Sequence, residues 1–313
     1  FTDNYNAGAG NSPGNGAYQV VADPQGTEIN QAWFNYNFYE SNGVKVGRQR
    51  IILDNQRFVG GVGWRQNEQT YYAVSGSLSI GNSKLFTAYS DNVNPICGDE
   101  VAAGDHDNNT FLLNCANDFE DMGKLSLFYY DINNKDLASF STVTYGAKFA
   151  GKVNKFNYGV EFADQSDAHN NGVNYSANYY RFDAGFQFEQ VNLFAGYEVL
   201  EGDANNAGSA FITPLATLHA FNGWADIFLS TPNDGIEDAF IGVNGDVSGF
   251  KWQAVYHDFA AQDSSRGLGY ELDFSIGKKL NKNVSLLLKA ALYDADTQAT
   301  DTKKVWFMVS ADF

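Results

Sequence analysis

Val305-Trp306-Phe307-Met308-Val309-Ser310-Ala311-Asp312-Phe313 alternates along its whole length. Val305, Phe307, Val309, Ala311 and Phe313 fall on one face of a strand, and Trp306, Met308, Ser310 and Asp312 on the other. Strand side chains point to opposite faces in turn, whereas a helix repeats every 3.6 residues, so this spacing makes a poor core helix. A tilted strand needs only ~9–11 residues to cross a bilayer. The segment therefore reads as the closing strand of a membrane β-barrel, and similar segments recur along the chain.

Period-two alternation bounded by Gly, Asn or Asp predicts fifteen strands. They are 29–39, 44–52, 67–79, 83–91, 109–118, 123–132, 140–151, 155–165, 174–188, 191–200, 235–246, 250–260, 267–279, 284–294 and 302–313. In 174–188, Tyr180, Phe182, Ala184, Phe186 and Phe188 oppose Tyr179, Arg181, Asp183, Gly185 and Gln187. In 267–279, Tyr270, Leu272, Phe274 and Ile276 oppose Glu271, Asp273 and Ser275. One face is greasy and the other wet, as a transmembrane barrel wall requires.

Connections sort by length. Ser41-Asn42-Gly43, Gly81-Asn82, 151–154, Glu189-Gln190, 246–249 and 280–283 are short, while 53–66, 92–108, 166–173, 201–234, 261–266 and 295–301 are long. Short turns at one end and long loops at the other match an outer-membrane barrel, whose short turns face the periplasm. The sorting gives a parity argument. With fifteen antiparallel strands the first and last run the same way, yet a closed barrel needs an even number. The expectation is an all-β, transmembrane, antiparallel up-and-down barrel of 16–18 strands, eighteen favoured, with its first strand or first three outside this sequence. Fourteen is the alternative. Residues 1–26 read as an extracellular loop, and the whole of 1–313 as one domain.

Bulk properties agree. There are 25 Phe, 18 Tyr and 5 Trp, enough for aromatic girdles as well as strands, and only 5 Pro. No run approaches ~20 apolar residues, which excludes a helical span. A net charge of −17 argues against a nucleic-acid partner, which needs a basic footprint. Cys97 and Cys115 are the two cysteines, and whether they bridge stays open at this point.

The segment 201–234 stands apart. Thr213-Pro214-Leu215-Ala216 has the look of an N-cap followed by proline at the first helical position, predicting a short amphipathic helix over 213–226. So long a connection is usually functional. It either folds into the lumen and constricts it, with Thr213, His219, Trp224 and Asp226 as candidate constriction residues, or packs over the rim.

The stretch Val46-Gly47-Arg48-Gln49-Arg50-Ile51-Ile52-Leu53-Asp54-Asn55-Gln56-Arg57-Phe58 and the block Gly63–Thr70 resemble the alginate-export family of outer-membrane porins. So do Val20–Glu28, Thr213–Asp226 and Ala254–Phe259. The resemblance implies a monomeric eighteen-stranded barrel in the Gram-negative outer membrane, with three strands before the point where this sequence starts. A family exporter of polyuronate is implied to line its pore with arginine. This chain has only six arginines, so the resemblance does not carry alginate over as the permeant.

If Arg48 and Arg50 face the lumen, two guanidinium groups enter the channel, followed by Arg57 and Arg65. Facing strands add Lys148, Arg181, Lys251, His257 and Lys289, against Glu161, Asp183, Glu189, Glu198, Glu271, Asp273 and Asp312. Mixed rings of this kind tune ion preference. Alternatively the arginines brace the wall through Asp54 and Glu68. Asp99, Glu100, Asp105, Asp107 and Asn109 superficially echo calcium spacing, but without the EF-hand's glycine and terminal glutamate, so Asp105 and Asp107 are a weak Ca²⁺ candidate and no other metal or cofactor is expected.

The reading is an outer-membrane porin passing small hydrophilic, anionic solutes passively, with membrane lipid and lipopolysaccharide as its surroundings. A structural anchor for a surface partner is the alternative. An outer-membrane hydrolase using His257 with Ser275 or Ser285 ranks below both, because no Gly-x-Ser-x-Gly elbow is present.

Overall fold

The computed structural model describes residues 27–39, 42–65, 67–98 and 102–311. Fifteen strands form one sheet in strict sequence order, every neighbouring pair antiparallel. They are β1 (Ala32–Tyr39), β2 (Asn42–Gln49), β3 (Thr70–Ile80), β4 (Ser83–Asn94), β5 (His106–Phe119), β6 (Gly123–Ile132), β7 (Thr142–Val153) and β8 (Phe156–Asp167). There follow β9 (Ser176–Phe188), β10 (Val191–Leu200), β11 (Ile236–Val247), β12 (Phe250–Ala260), β13 (Gly267–Lys279), β14 (Val284–Ala295) and β15 (Thr302–Ala311). The up-and-down order is the one alternation and short turns dictate, since an antiparallel pair needs only a two-residue hairpin.

The two faces of the sheet differ as bilayer and water differ. On β15, Val305 and Phe307 are 69% and 70% exposed, while Lys304 and Trp306 turn inward. The same outward row continues through Phe274, Tyr256, Ile241, Leu193, Phe182, Phe162, Tyr145 and Tyr129. This apolar belt has nothing to pack against but lipid, which is why the chain spends so many aromatics on its surface. Strands end within a few residues of where alternation predicts, most visibly at β2, which stops at Gln49.

The inner face is filled from the long-loop end. Segments 50–69 and 201–235 both fold inward, and the sheet wraps around them. They join each other by a parallel bridge between Val59 and Leu215, with Gly60 N–H donating to Leu215 O (2.8 Å) and Thr217 N–H to Gln56 O (3.0 Å). Around that seam lies an apolar cluster. Phe58 packs on Phe128 (4.9 Å between centroids), Tyr179 (5.2 Å) and Phe211 (6.0 Å), and Phe228 packs on Phe259 (4.7 Å).

The predicted helix over 213–226 is absent. Only Leu218–Ala220 makes a 3-10 turn. Thr213 Oγ1, the expected cap, instead accepts from Arg57, and Asn222 (φ 52°) and Gly223 (φ 83°) take left-handed conformations that end any helical run. Tertiary partners outcompete the local helix signal.

An outward position should refuse charge where an inner one accepts it. Phe274→Arg, mid-strand on the lipid face of β13, is expected to lower stability by about 2–4 kcal/mol. Gln253→Arg, on the inner face of neighbouring β12, should cost far less. Urea unfolding of both variants in lipid vesicles measures the difference.

Candidate functional site

A row of charge crosses the inner face at one height. Pairing register sets Lys148 of β7 beside Glu161 of β8, Glu161 beside Arg181 of β9, Arg181 beside Glu198 of β10, and Glu198 beside Asp238 of β11. Two of these four neighbouring pairs are ion pairs. Lys148 Nζ lies 3.2 Å from Glu161 Oε2, and Arg181 Nη1 3.7 Å from Glu198 Oε1. Asp183, two residues along β9, takes Arg181 Nε at 2.8 Å.

Arg57 crosses from segment 50–69 to meet this row, and it is 1% exposed. Its Nε donates to Glu198 Oε1 (2.8 Å), one Nη to Thr213 Oγ1 (3.2 Å) and the other to Asn222 Oδ1 (3.0 Å). The guanidinium also lies over the Phe221 ring at 4.7 Å. Asn222 then donates its amide to both Glu198 (2.9 Å) and Asp238 (3.3 Å). Tyr179 O–H donates to Glu198 at 2.8 Å. Two infolded segments and strand β9 thus close on one carboxylate of β10.

A second junction forms around Asp226. Arg65 (3.1 Å), Lys304 of β15 (3.3 Å) and His219 Nδ1 (2.6 Å) all reach its carboxylate. With Nδ1 donating, His219 Nε2 accepts from Lys289 Nζ at 2.8 Å. The Lys289 ammonium sits over Trp224 (3.6 Å) and Trp64 (4.5 Å), a cation held by π faces rather than by a carboxylate. Trp64 stacks on His219 at 4.9 Å. Next to it, Trp224 N–H donates to Asp273 (3.1 Å) and Ala225 N–H to Glu271 (2.7 Å). Gly223, just before them, takes φ 83°, where side-chain-bearing residues are strained, and a Cβ there would also displace Glu271 Oε2, 2.5 Å away.

A third tie lies outside the strands. Arg266 grips Asp234 with Nε (2.7 Å) and Nη2 (3.0 Å), and Ser264 Oγ adds a hydrogen bond at 2.7 Å. The Arg266 guanidinium holds the Asp234 carboxyl down at about 2.

Several sequence expectations need correction. Arg48 does not point to the inner face. Arg48 is the register partner of Tyr72, and Val46 and Val74 on the same side are exposed, so its side is the outward one. It is buried there at the long-loop end by Glu28 (2.7 Å) and Thr70 (2.9 Å). Charge is tolerated near the bilayer interface, where the cost falls to ~0–1 kcal/mol. Arg50 lies one residue past β2 and pairs with Glu68. The ion pair that Asp54 makes among the described residues is with Lys124 (3.3 Å). Asp54 also accepts from Asn114 (2.6 Å) and Ser126 (2.7 Å). Lys251 lies on the inner face of β12 and makes no ion pair among the described residues. His257 Nδ1 bonds Asp238 (2.9 Å) and its Nε2 faces Asp273 (3.8 Å), and neither Ser275 nor Ser285 bonds it among the described residues. Glu189 sits in the β9–β10 turn at φ 46°. Asp312, Asp99 and Glu100 lie outside the described residues.

Cys97 and Cys115 are both free. Cys97 follows β4 at the long-loop end, whereas Cys115 is nine residues into β5 and pairs with outward Leu127, which at ~3.4 Å per residue puts about 30 Å between them. Asp105 accepts from Asn92 (2.6 Å) and Asp107 from Lys135 (2.9 Å), two separate contacts, and no cluster of three or more metal-ligating groups occurs among the described residues. Asp238, Asn222, Tyr179, Trp64, Trp306 and Lys304 escaped sequence reading. Strand alternation puts Asp238, Tyr179, Trp306 and Lys304 on inner faces, but nothing local reveals which loop residue will meet them.

A single up-and-down antiparallel sheet, greasy outside and lined within by ion pairs and infolded loops, defines a channel-forming β-barrel of the Gram-negative outer membrane. The chain belongs to the alginate-export family of porins, whose model, described as "Alginate export", matches residues 9–222. Solved structures share the fold. OccK3 (OpdO) of Pseudomonas aeruginosa superposes with a TM-score of 0.65 at 13% identity, covering 87% of this chain and 76% of that one. OccAB2 of Acinetobacter baumannii gives 0.64 at 17% identity, covering 87% and 74%. OccD3 (OpdP) of Pseudomonas aeruginosa gives 0.65 at 12%, covering 91% and 77%. No curated protein sequence matches the chain.

Removing Arg57 leaves buried Glu198 only the more distant Arg181, at 3.7 Å, to balance its charge, and breaking a buried pair costs about 3–5 kcal/mol. Arg57→Met is expected to lower the melting temperature strongly, and adding Glu198→Gln to recover part of the loss. Thermal unfolding of the single and double variants checks this. The Asp234 tie predicts a pH effect of definite sign. Its carboxyl titrates lower when folded than the usual 3.8, so its contribution is complete above about pH 4 and disappears as pH falls toward 2. The stability gap between the wild type and Asp234→Asn should close over that window.

Proposed function

We propose that the chain is a porin through which small hydrophilic solutes diffuse passively, anions in preference, without turnover. The observation that carries the reading is the charge row from Lys148 to Asp238, met on its open side by Arg57. Charged walls keep water in a passage that an apolar wall would dewet. The infolded segments 50–69 and 201–235 set the cross-section, and Thr213, His219, Trp224 and Asp226 hold them in place.

The preference for anions rests on which charges are left over. Lys251 has no ion pair among the described residues, and Arg181, lying over the Phe221 and Phe240 rings, keeps one side open. A cavity of about 160 Å³ beside the row is lined by Arg181 and His257 together with Glu198 and Asp238. Arg57, Lys148 and the partnered face of Arg181 serve the wall itself. The protein acts as a monomer within lipid and lipopolysaccharide.

A structural anchor is the second reading, favoured by how tightly the infolded segments pack on the Phe58 cluster. Single-channel recording in planar bilayers separates the two. Discrete conductance steps are expected, with a reversal potential that moves toward cations in Lys251→Gln and in Arg181→Gln and stays put in Arg48→Gln. A folded, inserted protein that conducts nothing supports the anchor, and a cation-preferring wild type overturns the anion assignment.

A further inference from the structure

Buried carboxylates on the inner face come with cations. Glu161 has Lys148, Glu198 has Arg57 and Arg181, Asp226 has Arg65 and Lys304, and Asp238 has His257. Glu271 and Asp273 break the pattern. They stand two residues apart on the inner face of β13, and both are 0% exposed. Glu271 makes no ion pair among the described residues. The ion pair of Asp273 is with His257, whose Nε2 stands 3.8 Å from Oδ2, too far for a hydrogen bond.

Each carboxyl is half satisfied. Glu271 Oε1 accepts from Ala225 N–H (2.7 Å), and Asp273 Oδ2 accepts from Trp224 N–H (3.1 Å). The other two oxygens, Glu271 Oε2 and Asp273 Oδ1, are buried with no hydrogen-bond partner among the described residues. The two side chains lie within hydrogen-bond reach of each other. Ionised carboxylates only accept, so a doubly ionised pair leaves both oxygens unmatched and sets like charges side by side. One proton changes this. The O–H of one carboxyl then donates to the other, and both orphaned oxygens are matched at once.

The groups packed around the pair have their donors engaged elsewhere. On β12, His257 is the register neighbour of Glu271 and directs Nδ1 to Asp238. On β14, Tyr293 turns its O–H to the backbone oxygens of Leu268 and Gln298. Lys289, also on β14, lies against His219 and the Trp224 ring. In the infolded segments and on β15, Arg65, His219 and Lys304 are held by Asp226. The Lys289 ammonium favours one negative charge on the pair. A second would have no cation of its own, and the carboxylates of Asp226, Asp238 and Glu198 oppose it.

We propose that Glu271 and Asp273 share one proton, and that this proton latches residues 223–225 of the infolded segment to the barrel wall. With the proton in place, each carboxyl keeps an oxygen for a backbone N–H, and Gly223 lets the chain come close. Loss of the proton puts two like charges into one buried site and drives off the turn that docks there. Docking therefore takes up one proton. Above about pH 5, where the carboxyls of the undocked form are ionised, its equilibrium constant falls about 10-fold per pH unit. As a control on the cross-section set by segment 201–235, the latch rests on the porin reading, while the shared proton itself does not.

Infrared spectra of the protein in lipid vesicles, read at the carbonyl stretch of a protonated carboxylic acid, test the shared proton. At neutral pH the wild type is expected to show this band. Glu271→Gln and Asp273→Asn should each lose the intensity of one carboxyl, and the double variant should lose no more than either alone. Glu271→Gln sets a permanent N–H donor against Asp273 and so stands in for the proton. Fluorotryptophan-labelled protein, with the Trp224 resonance assigned by Trp224→Phe, reads the latch by ¹⁹F NMR. In the wild type that resonance should move at alkaline pH in step with loss of the band, and in Glu271→Gln it should stay fixed. A wild type without the band at neutral pH, a band that both variants keep in full, or a Trp224 resonance that moves equally in Glu271→Gln overturns the proposal. Neither readout involves conduction, so failure here is distinct from failure of the porin reading.

Discussion

A guanidinium shut away from water must find an acceptor for every donor it can, and Arg57 organises the interior by meeting that demand. Its partners come from a strand, Glu198, and from a loop 156 to 165 residues further along the chain, Thr213 and Asn222. Once those contacts are fixed, the seam between Val59 and Leu215 is in register, Phe58 is delivered to its aromatic cluster, and Asn222 is placed to bridge two carboxylates. The wall contributes the complementary half. Glu198 also needs Tyr179 and Arg181, so the loop contact and the strand contacts support each other. A buried ion pair is weak evidence of net stability, because desolvation offsets much of its attraction. What it supplies here is a unique arrangement of two long segments that would otherwise have many.

The wall was legible in the sequence because the bilayer imposes a rule of period two on every strand. Fifteen alternating segments, their order and the sorting of turns by length all follow from it. The same rule, applied strictly, would have placed Arg48 correctly. Val44 and Val46 share its parity, and they are exposed apolar residues. Charge drew the guanidinium inward in the sequence reading, whereas distance from the membrane centre is what decides whether an outward arginine is tolerable.

The interior was less legible, for a physical reason. Loop residues obey no period, and their partners lie far away in sequence. Thr213-Pro214 carries a sound helix-start signal, yet Arg57 takes the threonine hydroxyl and left-handed Asn222 and Gly223 turn the chain toward Glu271 and Asp273. Acidic residues on strands could be assigned to the inner face, but which of them meets Arg57 and which meets a backbone amide depends on how segment 201–235 packs.

The row from Lys148 to Asp238 has a consequence for assembly. Each member belongs to a different strand, and each is the direct register neighbour of the next. A strand slipped by a single residue would turn its ionic group out into hydrocarbon and a phenyl ring into water. The alternating signs from Lys148 to Glu198 therefore act as a key cut across four strands. A wrongly threaded hairpin would lose these matched charges as it docks on its neighbour.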